Sequence, residues 1–210
     1  MTIFDAHPIL AIVRFRGPAA LDEVFDAIRR GGVGLVEVTA DTPGALEAVR
    51  VAAESGAPVG AGTIGSVGDA RAFVEAGAAF LVSPGVKVDV VRAAVELGVP
   101  AVPGALSPTE IATAVDAGAD AVKLFPAGLG GPDYLRALRG PFSRVAFVPT
   151  GVVRPDDVES WLGAGAACVG LGGTLVGSTP PATDRELASL VERVREAAER
   201  ARAALARKPV

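Results

Sequence analysis

The sequence predicts an α/β fold, a single (β/α)8 barrel over residues 1–210, on three observations. Short apolar runs recur along the chain, amphipathic segments lie between them, and a glycine marks most of the joints. Six joints read as a polar helix end, a glycine, then Ala or Val: Gly32-Val33, Gly56-Ala57, Gly77-Ala78, Gly98-Val99, Gly118-Ala119 and Gly165-Ala166. Glycine is the usual residue just past the last helical turn, where the backbone turns left-handed.

Taken in order, the first run (9–13) precedes a helix expected over 19–30. The second (35–38) leads to a helix over 43–54, whose Thr42-Pro43 start offers a cap and a first-turn proline. Runs 59–61, 80–82 and 101–102 precede helices over 66–75, 88–97 and 107–117, the last opening on Ser107-Pro108. The sixth run is 121–125, the seventh 145–148 with a helix start at Arg154-Pro155-Asp156, and the eighth 167–169. The helical segments repeat apolar residues at three- and four-residue spacing, and strand starts lie roughly 20 to 25 residues apart. Runs that are apolar throughout suit a parallel sheet covered on both faces. Eight such repeats fit a TIM barrel near its lower size limit of about 200 residues. An open doubly wound sheet is the alternative, but Arg14-Phe15-Arg16-Gly17 lacks its glycine fingerprint. Residues 184–207 read as a long charged helix that covers the barrel or serves an interface.

Composition narrows the function. With 20 Lys+Arg against 24 Asp+Glu, the formal net charge is −4, and no nucleic-acid partner is expected without a basic stripe. Cys168 and His7 are each the only residue of their kind. That excludes an intrachain disulfide, a cysteine zinc site and a multi-histidine metal site, and a Ser-His-Asp triad would need His7 itself. Residues 1–8 have no basic leader character, and no stretch reaches 18 uncharged apolar residues. The expectation is therefore no signal peptide, no membrane span and a soluble cytoplasmic protein.

Only Lys87, Lys123 and Lys208 are lysines, so each can be interpreted singly. Lys123 falls in Ala121-Val122-Lys123-Leu124-Phe125-Pro126, an otherwise apolar strand. Burying an ammonium is costly, and such a setting favours a neutral amine that can condense with a ketone. The plain alternative is a lysine that reaches the rim or pairs with a carboxylate. Lys87 reads as a loop–helix junction and Lys208 as tail. Glu37, in Leu35-Val36-Glu37-Val38-Thr39, is the one carboxylate embedded in an apolar strand run. A desolvated glutamate suits proton transfer near neutrality, and its plain reading is an ion pair with Arg14 or Lys123.

Two glycine turns follow the seventh and eighth runs: Thr150-Gly151-Val152 and Gly170-Leu171-Gly172-Gly173-Thr174. Glycines let backbone N–H groups approach an anion, and phosphate sites recur at this place in such barrels. Gly151, Val152, Gly172 and Gly173 are thus candidate phosphate ligands, although each turn alone is an ordinary glycine turn. Gly62-Thr63 and Ser83-Pro84-Gly85 end two further runs and make candidate substrate walls. Arg14 ends the first run, where a guanidinium can hold a carboxylate in bidentate fashion, with Arg16 a nearby competitor. Phe125 faces the same way as Lys123, while Phe73, Phe80, Phe142, Phe147 and Trp161 read as core.

Val36-Glu37-Val38-Thr39, Gly60-Ala61-Gly62-Thr63, Ser83-Pro84-Gly85, Pro103-Gly104, Val122-Lys123-Leu124-Phe125-Pro126-Ala127 and Pro149-Thr150-Gly151 are collinear over about residues 8 to 176. As a set they resemble the 2-keto-3-deoxy-6-phosphogluconate aldolase / 4-hydroxy-2-oxoglutarate aldolase family, class I lyases that form pyruvate Schiff bases. The resemblance implies Lys123 as the Schiff-base lysine and Glu37 as the proton-transferring carboxylate. Thr63 matches a pyruvate-binding threonine, and Phe125, Pro84 and Thr150 match pocket residues. It also implies a homotrimer with no metal or organic cofactor.

Two positions depart from the family pattern. Asp41 stands where relatives often carry a carboxylate-binding arginine, and Arg14 matches an arginine that other branches place at the end of the first strand. Val152 stands where the turn often has a second glycine. The expected reaction is retro-aldol cleavage of a 2-keto-3-deoxy-4-hydroxy acid, with 2-keto-3-deoxy-6-phosphogalactonate as an alternative substrate. A phosphosugar isomerase or synthase barrel using Lys123 as a non-covalent general acid stays open, as does a non-catalytic barrel binding a phosphorylated ligand.

Overall fold

Seven of the eight expected runs form strands: β1 (Ile9–Val13), β2 (Leu35–Thr39), β3 (Val59–Gly62), β4 (Leu81–Ser83), β5 (Ala101–Ala105), β6 (Lys123–Leu124) and β7 (Val169–Leu171). The structure, a computed structural model, describes residues 2–54, 56 and 58–207; Met1, Ala57 and Lys208 lie outside the described residues. The strands make one curled parallel sheet in the order β6-β5-β4-β3-β2-β1-β7. Between and after them run α1 (Leu21–Arg30), α2 (Ala45–Glu54), α3 (Val67–Glu75), α4 (Val88–Glu96), α5 (Pro108–Asp116), α6 (Gly131–Leu138), α7 (Val158–Gly163) and α8 (Asp184–Ala206).

The expected seventh strand at 145–148 is a correction, because that segment makes only one isolated bridge, Phe147 to Val122, and the next, Thr150 to Gly170, falls beyond it. The segment lies between β6 and β7 and bonds to both sides. Val122 N–H donates to Ala146 O at 2.8 Å and Leu124 N–H to Val148 O at 3.1 Å, while Ala167 N–H donates to Phe147 O at 3.0 Å and Gly170 N–H to Pro149 O at 2.9 Å. Pro149 has no N–H to give, so a regular ladder toward β7 cannot continue. The strand count of the expected eightfold barrel is therefore seven.

Local signals account for most element ends. All six joint glycines take positive φ, from 74° to 100°. Ser66, Ser107 and Thr183 cap α3, α5 and α8, each hydroxyl accepting from the N–H three residues on. Glu110 closes a capping box at α5, and the N–H groups of Ser107 and Leu106 hold its carboxyl below its ordinary range. The Thr42-Pro43 start fails differently. Thr42 turns inward, accepting from Phe15 N–H at 3.3 Å and lying 3.0 Å from Thr39 Oγ1, so α2 begins only at Ala45.

The two faces of the sheet fill separately. Leu10, Ile12, Leu35, Phe80, Val82, Val102, Ala121 and Val148 pack inside the curl, whereas Ala11, Val13, Val36, Val38, Val122 and Leu124 face the helices. Phe4, on a turn of 3-10 helix (Ile3–Ala6), closes the N-terminal end of the curl and meets Phe80 edge-on at 5.4 Å. Cys168 lies in the same inner cluster, where burial pushes its thiol up. The long helix α8 covers rather than projects: it packs on α1 and α7 through a stripe including Leu190, Val194, Ala197 and Ala201. Among the described residues no helix is long and apolar enough to cross a membrane.

Candidate active site

Strand parity places the chemistry. Side chains alternate across a strand, so Glu37 shares the inner face with Leu35, and Lys123 shares it with Ala121. Glu37 sits beside Ile12 and Gly60 in the ladder, and Lys123 beside Gly104. From these registers Lys123 Nζ reaches to 3.5 Å from Glu37 Oε1, with Lys123 11 % exposed and Glu37 0 %. Of the two expected ion-pair partners of Glu37, the structure selects Lys123. Both Glu37 oxygens lack a hydrogen bond among the described residues. Gly62 makes room for that carboxyl, since a Cβ there would stand 1.9 Å from Glu37 Oε1.

Arg14, just past β1, forms the wall opposite. Its Nη2 donates to Thr63 Oγ1 at 2.5 Å and its Nε to Thr39 Oγ1 at 3.4 Å. Asp41 Oδ1 lies 3.5 Å from the same Nε. Thr63 and Val152 are the non-glycine residues with positive φ among those described, 60° and 58°, and both line the cavity. For β-branched residues that conformation is a true outlier, and such strain gathers at ligand sites. Phe125 places its ring centroid 5.6 Å from Lys123 Nζ.

The two glycine turns form the far rim. Residues 172–177 curl into a helical turn in which Leu175 and Val176 N–H donate to Gly172 O, and Gly177 N–H to Gly173 O. Among the described residues the N–H groups of Gly173, Thr174, Val152 and Val153 have no acceptor. Thr150 is buried against Gly170, where a Cβ would come within 2.2 Å of Thr150 Oγ1.

All eleven expected site residues line one cavity of about 230 Å³: Arg14, Glu37, Thr63, Pro84, Lys123, Phe125, Thr150, Gly151, Val152, Gly172 and Gly173. Ile12, Thr39, Val153, Gly170 and Thr174 line it as well. The first two were legible from strand parity, Gly170 and Thr174 belong to the second glycine turn, and Val153, one residue past the first turn, was missed. Gly62, Ser83 and Gly85 support the wall instead of lining it: Gly62 backs Glu37, and Ser83 Oγ donates to Gly85 O at 2.8 Å. Lys87 lies outside the cavity at the start of α4, its Nζ donating to Gly65 O at 2.6 Å. His7 sits at the opposite end against Gly34.

A primary amine in a cavity, a carboxyl within reach of it, a guanidinium and open amides beyond suit an anionic ketone. The sequence model of the KDPG and KHG aldolase family matches residues 2–190. A 2-dehydro-3-deoxy-6-phosphogalactonate aldolase of Escherichia coli is 33 % identical over 196 residues, 90 % of this chain and 96 % of that protein. A 2-dehydro-3-deoxy-phosphogluconate aldolase of Treponema pallidum is 39 % identical over 171 residues, 77 % of this chain and 80 % of that protein. Among solved structures, the KDPG aldolase of Legionella pneumophila with pyruvate captured as a covalent carbinolamine superposes with a TM-score of 0.79 at 30 % identity. That likeness covers 91 % of this chain and 94 % of the other. On the breadth of these matches the chain belongs to the KDPG and KHG aldolase family, and it is an aldolase, a lyase.

Proposed function

We propose a class I mechanism centred on Lys123. Its unprotonated amine attacks the C2 ketone of a 2-keto-3-deoxy-4-hydroxy acid, and the carbinolamine loses water to an iminium. Glu37, directly or through a water, takes the C4 hydroxyl proton; the C3–C4 electrons flow into the iminium, releasing an aldehyde and leaving an enamine. Protonation at C3 and hydrolysis return the amine and pyruvate. The single observation that carries this reading is the inward Lys123 with Glu37 3.5 Å away. The covalent pyruvate adduct described for the Legionella relative supports the same chemistry.

The substrates proposed are 2-keto-3-deoxy-6-phosphogluconate, giving pyruvate and glyceraldehyde 3-phosphate, and 4-hydroxy-2-oxoglutarate, giving pyruvate and glyoxylate. The relative from Escherichia coli supports 2-keto-3-deoxy-6-phosphogalactonate as an alternative. Arg14 holds the C1 carboxylate, Thr63, Pro84, Phe125 and Thr150 enclose the pyruvyl end, and the amides of Gly151, Val152, Gly172 and Gly173 receive the phosphate. The segment 145–150 completes the ring as its eighth member, and the chain acts as one domain. A homotrimer in the cytoplasm, as the family resemblance implies, belongs to the same proposal; light scattering should return a mass three times that of the chain.

Borohydride reduction in the presence of pyruvate tests the mechanism. The expected product is one reduced pyruvyl group mapping to Lys123. No adduct, or one on Lys87, removes the Schiff base on Lys123 from the mechanism.

A further inference from the structure

Arg14 and Lys123 are the cationic side chains lining the cavity, and Arg14 carries a second, acidic neighbour from outside it. The backbone on either side of Asp41 is anchored: Ala40 N–H donates to Gly62 O and Thr42 N–H to Thr39 O, each at 2.8 Å. The Asp41 carboxyl lies 3.5 Å from Arg14 Nε, beside Thr39 Oγ1 at 3.4 Å from the same nitrogen, both long contacts. The short contact that orients the guanidinium is Nη2 to Thr63 Oγ1. Asp41 therefore contributes chiefly charge. Both side chains of this pair are more than half exposed, so it adds little to stability.

We propose that Asp41 is a specificity-determining residue that damps the affinity of Arg14 for a substrate carboxylate. A carboxylate binding the open edge of the guanidinium meets a negative charge behind it. The factor is the same for the uncleaved acid and for pyruvate, since both present a C1 carboxylate to Arg14. Pyruvate, whose only anionic handle is that carboxylate, is held loosely in absolute terms. What narrows is the margin by which the site prefers an anionic ketone to a neutral one. The inference rests on the Schiff-base reading above, with Arg14 as the carboxylate ligand.

At roughly 7 Å through a mostly aqueous dielectric of about 60, one unit charge alters the binding of another by about fourfold. The experiment measures borohydride trapping on Lys123 against pyruvate concentration, and against the neutral ketone pyruvamide, in wild type, Asp41→Asn and Asp41→Glu. Asp41→Asn should lower the pyruvate half-saturation about fourfold in dilute buffer. In about 0.5 M salt, where screening is nearly complete over this distance, the difference should shrink below roughly twofold. Pyruvamide should show no difference, and Asp41→Glu should behave as wild type. A raised half-saturation in Asp41→Asn makes Asp41 an orienting group and overturns the inference, as does no change, or an equal shift with pyruvamide. If wild type traps neither ketone on Lys123, the Schiff-base reading fails and this inference falls with it.

Discussion

Lys123 Nζ lies 3.5 Å from Glu37 Oε1, and among the described residues this is the ion pair whose two side chains are both buried. Desolvation offsets most of the Coulomb gain of such a pair, so stability is a weak reason for keeping it. Proton transfer beside a nucleophilic amine is a stronger one.

Glu37→Gln should still form the pyruvate adduct on Lys123 while slowing cleavage by a factor on the order of 10² to 10⁴. Near-wild-type turnover would remove Glu37 from the chemistry. Gly62→Ala should produce the same phenotype from the other side, because its Cβ would intrude to 1.9 Å from Glu37 Oε1 and push the carboxyl away. Overpacking of this kind typically costs about 1 to 3 kcal/mol, so its melting temperature should fall as well.

The two arginines near the end of β1 should separate cleanly. Arg14→Ala loses a charge-assisted ligand for the C1 carboxylate, typically about 1.5 to 3 kcal/mol, and should raise the pyruvate half-saturation roughly tenfold or more. Arg16 is exposed and does not line the cavity, so Arg16→Ala should change it little. Equal effects from both would take the carboxylate site away from Arg14.

A phosphate held by the open amides of the far rim should show in substrate choice. The phosphorylated six-carbon acid should exceed its unphosphorylated analogue in kcat/KM, measured by coupled assay of pyruvate release. Equal values, or a preference for 4-hydroxy-2-oxoglutarate over both, would retire the phosphate site and leave the aldol chemistry standing.

Val152 offers a test of strain. Its side chain is 80 % exposed and its φ is 58°, so replacing it with glycine loses little burial and relieves a left-handed β-branched residue. That relief is about 1 to 2 kcal/mol, less about 0.5 to 1 kcal/mol for the added freedom of the unfolded chain. Val152→Gly should therefore melt up to a few degrees higher. Thr63→Gly should show no such gain, since it also removes the hydroxyl that accepts from Arg14. A lower melting temperature for Val152→Gly would mean that Val152 packing on Gly128 outweighs the strain.

Much of this protein was legible in one dimension because its signals are periodic and local. A strand has a side-chain period of two, so an apolar run with Glu37 or Lys123 at its centre already assigns each to a face. A left-handed helix end needs glycine, so the joints announced themselves. Other features had no local signal. Whether residues 145–148 form a ladder depends on partners on both sides and on Pro149, and only the assembled sheet shows the pairing reduced to a single bridge. Thr42, a good cap by composition, is drawn inward because Phe15 N–H and Thr39 stand closer to its hydroxyl than α2 does. Asp41 and Arg14 come from the ends of different strands, and their approach is set by the curl of the sheet. The sequence by itself determined which residues face inward, since that follows from backbone geometry repeated every two residues. The tertiary structure decided which of those residues meet, since contacts between strands depend on register, curl and what lies behind each turn.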